Sequence, residues 1–297
     1  MDAPKCLLWV LLLGGSLFPF SGSFADKPTP IPAPIATVDL AANDSDYTLH
    51  PIAGDVGGVA LVGNFQSHPT GTGVFDPFLT INSNGSNPTE KGYNTDGHTA
   101  LYMDQQRPTW NTYVRLSDLA VINVGGKDYY AFELDANEPG NKKSLISIDN
   151  IRIYTSSTDN TALVGNDESR LGLLGTLRFS LNQGPTPENA PKWIKLDANQ
   201  NGGPNGGSGF SDMIFYVPVT AFAGASLNDY LWFFNLNGLR YGADPNLAAQ
   251  AGYEEWRAVR GPNAPTRVPD GGSTLVLLGM ILPIVAWLDR RRGRVRA

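Results

Sequence analysis

The sequence predicts an all-β protein whose body is an antiparallel, jelly-roll-like β-sandwich, preceded by a signal peptide and followed by one transmembrane helix. Three observations support this prediction. Short β-type runs separated by turn residues recur from about residue 38 to residue 259, with almost no helical periodicity. An apolar run stands near residue 1, and a second apolar run, followed by arginines, stands at the other end.

These patterns divide the 297 residues into five parts. The predicted parts are a signal peptide at 1–25, a proline-rich linker at 26–36, a β-sandwich domain at 37–262, a short linker at 263–267 and a C-terminal signal at 268–297. The prolines of the first linker favour an extended, polyproline-like chain.

The first 25 residues have the layout of a secretory signal peptide. Lys5 precedes an apolar stretch at 6–20, and the small residues Ser23 and Ala25 suit cleavage after Ala25. Cys6 lies at the start of the apolar stretch, whereas a lipoprotein signal needs its cysteine at the end. Lipid anchoring is therefore not expected.

Processing would make the body more acidic. Loss of residues 1–25 and 270–297 removes six basic and three acidic residues, so the net charge falls from −6 to −9. An acidic body with no concentrated basic face argues against nucleic acid as a partner. The only cysteine is lost with the signal peptide, which excludes an internal disulfide and a cysteine nucleophile.

The body contains eleven short segments with β-strand character. They are predicted at 58–65, 74–81, 113–119, 120–124, 129–134, 145–154, 171–181, 193–196, 213–219, 229–236 and 253–259. The clearest hairpin turns at Gly125 and Gly126, because glycine readily takes a positive φ. One short helix is predicted at 244–252 from its acidic N-cap, first-turn proline and C-terminal glycine.

A weak internal repeat connects two regions of the body. Leu134-Asp135-Ala136-Asn137 precedes a loop and a strand that begins near Ser147, and Leu196-Asp197-Ala198-Asn199 precedes a loop and a strand that begins near Ser211. The repeat indicates two similar strand–loop–strand units that can pair within the sandwich, although two matches also arise by chance.

The C-terminal signal combines three features. Its motif consists of Val268, Pro269, Asp270, Gly271 and Gly272, and its basic cluster begins with Arg290, Arg291 and Arg292. Between them a transmembrane helix is predicted at 274–288. The apolar run from 275 to 288 makes roughly 21 Å of helix against a hydrocarbon core of ~30 Å, which is a marginal span. The arginines would hold its C-terminal end in the cytoplasm.

This order of motif, short span and basic cluster resembles the sorting signal of PEP-CTERM proteins, the substrates of exosortase, in the variant that opens with Val-Pro-Asp. The resemblance covers 268–292. It implies export through the inner membrane of a Gram-negative bacterium, transient anchoring by the tail, and cutting by an exosortase-type enzyme. The body would then reach the cell surface or the exopolysaccharide matrix. Pro269, Asp270 and Gly271 stand where Pro-Glu-Pro is usual, and a plain tail anchor that is never cut is the alternative.

The body also resembles bacterial surface and exported β-domains that accompany such anchors. The resemblance rests on stretches at 71–79, 92–96, 132–137, 207–213 and 252–256. Such domains have no assigned catalytic role, so the resemblance implies an exported β-sandwich but does not indicate which activity it has.

One loop resembles a metal site. Asp197, Asn199 and Asn201, followed by Gly202, match the first half of a calcium loop, in which oxygen ligands at alternate positions converge on the cation. Ser208 stands where the second half needs a bidentate glutamate. A turn-rich β-loop explains the same residues without a cofactor, and calcium stays the alternative.

No local catalytic motif is present in the sequence. His50, His68 and His98 are far apart and form no zinc-binding pair, and no Gly-x-Ser-x-Gly motif occurs. A glycosidase stays open, because two carboxylates from separate strands leave no local motif. Glu254 and Glu255 are neighbours on a predicted strand and face opposite sides, so one of these acids is expected at the surface.

Aromatic side chains that could stack on sugar rings are Trp110, Tyr113, Trp193, Trp232 and Trp256. Core packing is the favoured explanation for most of them. The sequence as a whole favours a non-catalytic, exported protein of the cell surface or exopolysaccharide matrix. The alternative is a secreted protein that binds or hydrolyses glycans.

Overall fold

The computed structural model describes residues 36–42, 48–64, 76–83, 87–138, 144–187, 189–198, 211–250 and 252–262. The predicted signal peptide, transmembrane helix and basic tail lie outside these ranges. Within them, no helix is both long and apolar enough to cross a bilayer.

Most of the regular structure in these ranges is β. The strands are β1 (Thr37–Asp39), β2 (His50–Ala53), β3 (Val59–Asn64), β4 (Leu79–Ile81), β5 (Glu90–Tyr93), β6 (Val114–Arg115), β7 (Ile122–Val124), β8 (Lys127–Ala136), β9 (Leu145–Ser156), β10 (Thr176–Ser180), β11 (Trp193–Asp197), β12 (Met213–Pro218), β13 (Tyr230–Asn237) and β14 (Glu254–Ala258). The helices are short: α1 (Thr161–Val164) and 3₁₀ helices at Pro108–Trp110, Leu116–Asp118, Glu168–Leu174, Val219–Phe222, Leu239–Gly242 and Pro245–Leu247.

The strands form two sheets of seven. Sheet 1 has the order β2-β3-β12-β8-β14-β4, with β7 also paired to β8. Sheet 2 has the order β1-β11-β9-β13-β5, with β10 paired to β9 and β6 to β13. The pairs are antiparallel except β1 with β11, which are parallel.

The two sheets face each other across one apolar core. The Phe233 ring of sheet 2 lies 5.1 Å from the Phe132 ring and 4.7 Å from the Trp256 ring of sheet 1, measured between centroids. A single cluster of buried side chains draws on both sheets. The arrangement is therefore sandwich-like, as the alternating pattern predicts.

A second apolar cluster covers the other face of sheet 2. Alternation along β13 sends Phe233 into the main core and Trp232 and Phe234 to the opposite side, where they pack with Val164 and Leu171 from the short helices. Both faces of sheet 2 are thus buried around β13, which explains the nearly continuous apolar sequence of that strand.

Each of the eleven predicted segments contains a strand, but three of the predictions were too long. In segment 74–81 the strand begins only at Leu79. Segment 171–181 begins inside the 3₁₀ helix Glu168–Leu174, which the Asp167 side chain caps by accepting from the Ser169 N–H at 3.0 Å. In segment 113–119 the strand ends at Arg115 and a 3₁₀ helix follows. The strands β1, β2 and β5 were not predicted.

The predicted hairpin is confirmed. Val124 pairs with Lys127, and Gly125 and Gly126 have φ values of 59° and 83°. Two consecutive positive φ angles are the requirement of a type I′ turn, which matches the twist of the flanking strands.

The predicted helix at 244–252 is shorter than expected. Asp244 caps it, accepting from the Asn246 N–H at 3.0 Å, but the helix ends at Leu247. The N–H of Ala249 donates to the Pro88 carbonyl at 2.9 Å, and that of Gln250 donates to the Glu138 carboxylate at 3.1 Å. Bonds to distant segments replace those that would have continued the helix.

The two repeated units pair with each other, as the repeat indicated. β8 lies beside β12 with Leu134 opposite Met213, and β9 lies beside β11 with Ile146 opposite Leu196.

One side of the sandwich is covered by residues 102–113, which we call the closing segment. It bonds to sheet 2 through the Asp104 N–H and the Lys91 carbonyl, at 3.0 Å. It bonds to β4 through the Gln106 N–H and the Thr80 carbonyl, also at 3.0 Å. The segment thereby occupies the free edge of β4, which an unprotected sheet would expose.

Asn94 fastens the closing segment to β13. Its buried side chain accepts from the Phe233 N–H at 2.6 Å and donates to the carbonyls of Leu231 at 3.0 Å and Thr112 at 3.2 Å. Replacement of Asn94 by alanine is expected to lower the free energy of unfolding by about 2–4 kcal/mol, because buried backbone groups lose their partners. Urea denaturation would measure this loss. The exposed Asn189→Ala serves as the control, and equal unfolding midpoints for the two variants would contradict the prediction.

Candidate functional site

Most of the predicted site residues lie outside the described ranges. These are Val268, Pro269, Asp270, Gly271, Gly272, Arg290, Arg291 and Arg292 of the C-terminal signal, Asn199 and Asn201 of the candidate calcium loop, and His68. Asp197 is the last residue of β11. In the part of the chain that the structure describes, no three acidic, histidine or cysteine side chains are arranged to hold a metal ion.

A pair of buried carboxyls joins the two sheets at one end. Glu90 begins β5 and Glu254 begins β14, and their two carboxyl groups interact electrostatically with each other. The Asn237 amide donates to Glu90 Oε1 at 3.1 Å. The two residues are only 2% and 1% exposed, and this burial raises the pKa of both carboxyls. Burial therefore favours the protonated form of both carboxyls.

A second set of acids lies on the outward face of sheet 1. Glu255 stands opposite Asp135 in the register of β14 and β8, and Asp212 precedes β12 on the other side of β8. Burial raises the pKa of Asp212 well above its ordinary value. Burial, with a smaller contribution from Asp135, raises the pKa of Glu255 to about 7.

The expectation that Glu254 or Glu255 lies at the surface is therefore wrong. The two side chains do face opposite sides of the sheet, but both sides are covered, and both residues are buried. Alternation along a strand predicts which face of the sheet a side chain lies on. Whether that face is exposed depends on segments that are distant in the sequence.

The Glu90–Glu254 pair is unsuited to glycoside hydrolysis. A glycosidase needs two accessible carboxyls about 5–10 Å apart, with the sugar or a water between them. Here both carboxyls are buried, so a polymeric substrate does not reach them. Their arrangement is that of a structural contact between the sheets.

The closing segment presents a different chemistry at the surface. The guanidinium carbon of Arg107 lies 5.0 Å from the ring centroid of Trp110 and 4.7 Å from that of Tyr253. We call these three residues the Arg107 cluster. Trp110 is 37% exposed, and Arg107 is exposed as well. No hydrogen bond from the Arg107 guanidinium is seen among the described residues, and its positive charge partly offsets the rise that burial causes in the pKa of the Glu255 carboxyl.

A similar combination lies farther along the chain. Tyr113, which is 45% exposed, meets the Tyr230 ring edge-on at 5.3 Å. The guanidinium carbon of Arg115 lies 4.2 Å from the centroid of Tyr230. Tyr230 in turn stacks on Trp232 at 5.2 Å.

The structure divides the five predicted aromatic candidates. Trp232 and Trp256 are fully buried, which confirms core packing for them. Trp193 is half-buried, with the Arg240 guanidinium carbon 5.1 Å from its centroid. Trp110 and Tyr113 are exposed, and both belong to the closing segment. Sequence reasoning did not single out Arg107, because its contact with Tyr253 joins residues distant in the chain.

The chain was compared with protein-family models, curated proteins and solved structures, and none of them matches it.

Proposed function

We propose that this chain is the precursor of an exported, non-catalytic protein of the cell surface or exopolysaccharide matrix. The observation that carries the proposal is the order of features in 268–297: a Val-Pro-Asp motif, a short apolar run and an arginine cluster. In this proposal a signal peptide at 1–25 directs export. The helix at 274–288 holds the protein in the inner membrane of a Gram-negative bacterium until an exosortase-type enzyme cuts near Pro269 and Asp270.

Features of the body support this proposal. Its sandwich-like core suits a stable domain without disulfides, and consecutive strands from β12 to β14 alternate between the sheets, in keeping with a jelly-roll-like connection. The carboxyls of Glu90, Asp212 and Glu254, whose pKa values are raised by burial, are unable to meet a polymeric substrate.

A secreted glycan-active protein is the second candidate. Hydrolysis is disfavoured by the burial of both carboxyls of the Glu90–Glu254 pair. Glycan binding without turnover is favoured by the exposure of Trp110 and Tyr113, since aromatic faces accept sugar rings. Binding of this kind is compatible with a matrix protein.

Processing can be tested by intact mass spectrometry of the protein isolated from its host. The expected mature species begins at Asp26, ends between 268 and 272, and lacks the arginine tail. Replacement of Val268, Pro269 and Asp270 by alanine should leave the tail attached and the protein in the membrane fraction. The same triple replacement at Pro265, Thr266 and Arg267 is the control. Retention of the arginines in the wild-type mature protein would identify an ordinary tail anchor instead.

A further inference from the structure

We infer that the Arg107 cluster is a binding site for an acidic polysaccharide, with the Trp110 ring against a sugar face and the Arg107 guanidinium on a uronate carboxylate. The inference rests on the proposed function and deepens it, because it names the class of matrix polymer that the body would hold.

The first support is the exposure of a large ring on a well-anchored backbone. The Asn111 side chain accepts from the Thr80 N–H at 3.1 Å and donates to the Arg107 carbonyl at 3.2 Å. Trp110 therefore stands on a loop that is tied to β4 on both sides of the 3₁₀ helix Pro108–Trp110. A ligand that binds a fixed ring does not have to pay for ordering the loop.

The second support is local backbone strain. Arg107 has a φ of 59°, and Met103 has a φ of 56°. They are the only non-glycine residues with positive φ in the described part of the chain, and both lie in the closing segment. A left-handed conformation costs roughly 1–2 kcal/mol for a residue with a side chain. Such strain concentrates at sites that bind ligands, and here it sets the Arg107 side chain over two rings.

The third support is the chemistry of the cluster. Stacking against Trp110 and Tyr253 orients the Arg107 guanidinium but uses none of its N–H donors. A planar guanidinium with free donors matches a carboxylate in a bidentate geometry. An aromatic face beside such a cation fits a sugar ring that carries a carboxylate better than it fits a neutral sugar.

The test uses the full chain purified in detergent and surfaces that carry polygalacturonate, dextran sulfate, neutral dextran or single-stranded DNA. Arg107→Gln and Trp110→Ala are each expected to raise the Kd for polygalacturonate about tenfold or more, in line with loss of a charge-assisted contact or a stacked ring. The matched controls are Arg170→Gln, which removes an exposed arginine elsewhere, and Tyr241→Ala, whose residue is 36% exposed. Both controls should keep the wild-type Kd, and all four variants should keep the wild-type Tm.

Several results would overturn the inference. These are no binding of the wild type to polygalacturonate, equal binding by the cluster variants and the controls, or binding to dextran, dextran sulfate or DNA at least as tight as to polygalacturonate. The proposed function fails separately: a correctly cut protein that binds no polysaccharide overturns only this inference. A protein that keeps its arginine tail, and whose Kd for polygalacturonate rises when the Arg107 cluster is substituted, would overturn only the proposed processing.

Discussion

Replacement of Trp256 by alanine is expected to lower the free energy of unfolding by about 3–5 kcal/mol, because it opens a cavity between the two sheets. The Trp256 side chain is fully buried and lies 4.7 Å from the Phe233 ring of the opposite sheet. Its indole N–H also donates to the Asn235 side-chain oxygen at 3.0 Å. Alanine would leave that oxygen buried and without this donor, which adds to the loss.

Urea denaturation followed by circular dichroism would measure the effect of Trp256→Ala. Trp256→Phe, which refills most of the volume but cannot donate to Asn235, should fall between alanine and the wild type. Trp110→Ala is the control, because that indole is exposed, and its expected effect is below about 1 kcal/mol. Equal losses for Trp110→Ala and Trp256→Ala would show that Trp256 is not central to the core.

The second large effect is a loss of stability as the pH rises from about 4.5 to 7. Burial raises the pKa of Glu255 from 4.5 to about 7 and that of Asp149 from 3.8 to about 6. When the pH is below the pKa that these carboxyls have in the unfolded chain, they are protonated in both the folded and the unfolded state. They then do not change the free energy of unfolding. As the pH rises, the unfolded chain ionises first and is favoured, and the loss is complete above the folded pKa. For Glu255 it amounts to roughly 3 kcal/mol.

Thermal unfolding of the wild type and Glu255→Gln at pH 5 and pH 8 would test whether stability falls as the pH rises. The glutamine variant should be more stable than the wild type at pH 8, and its stability should change less between the two pH values. Asp128→Asn, which removes an exposed carboxylate in the β7–β8 hairpin, should follow the wild-type profile. Parallel profiles for Glu255→Gln and the wild type would contradict the assignment.

A smaller effect of opposite sign operates at lower pH. The hydrogen bond from Lys192 holds the pKa of Asp55 below its ordinary value of 3.8. A carboxyl of this kind loses its stabilising contribution as the pH falls through its folded pKa. Stability is therefore expected to be highest in mildly acidic solution.

The sequence predicted strands well where one face of the strand meets the core. Along β9, Ile146 and Ile148 alternate with Ser147 and Asp149, and that alternation is visible in the sequence. The pattern fails for β5, whose sequence Glu-Lys-Gly-Tyr has little β-propensity. β5 is a strand because β13 supplies its hydrogen-bonding partners.

The candidate site was predictable only in part. Trp110 and Tyr113 could be named from the sequence as possible sugar-stacking residues, but their exposure depends on how the closing segment crosses the side of the sandwich. Tyr253 comes beside Arg107, and Glu90 comes beside Glu254, through contacts between residues far apart in sequence. No local pattern reports contacts of this kind.

The position of β14 has a consequence for the order in which the protein folds. β14 is the last strand in sequence among the described residues, yet it lies between β8 and β4 in sheet 1. Until Glu254–Ala258 has joined the sheet, β8 and β4 each present an unpaired backbone edge, and such edges promote aggregation. Late pairing of distant segments also slows folding. A chain that stops before Glu254 is therefore expected to form an aggregation-prone intermediate with unpaired strand edges, rather than a smaller stable domain.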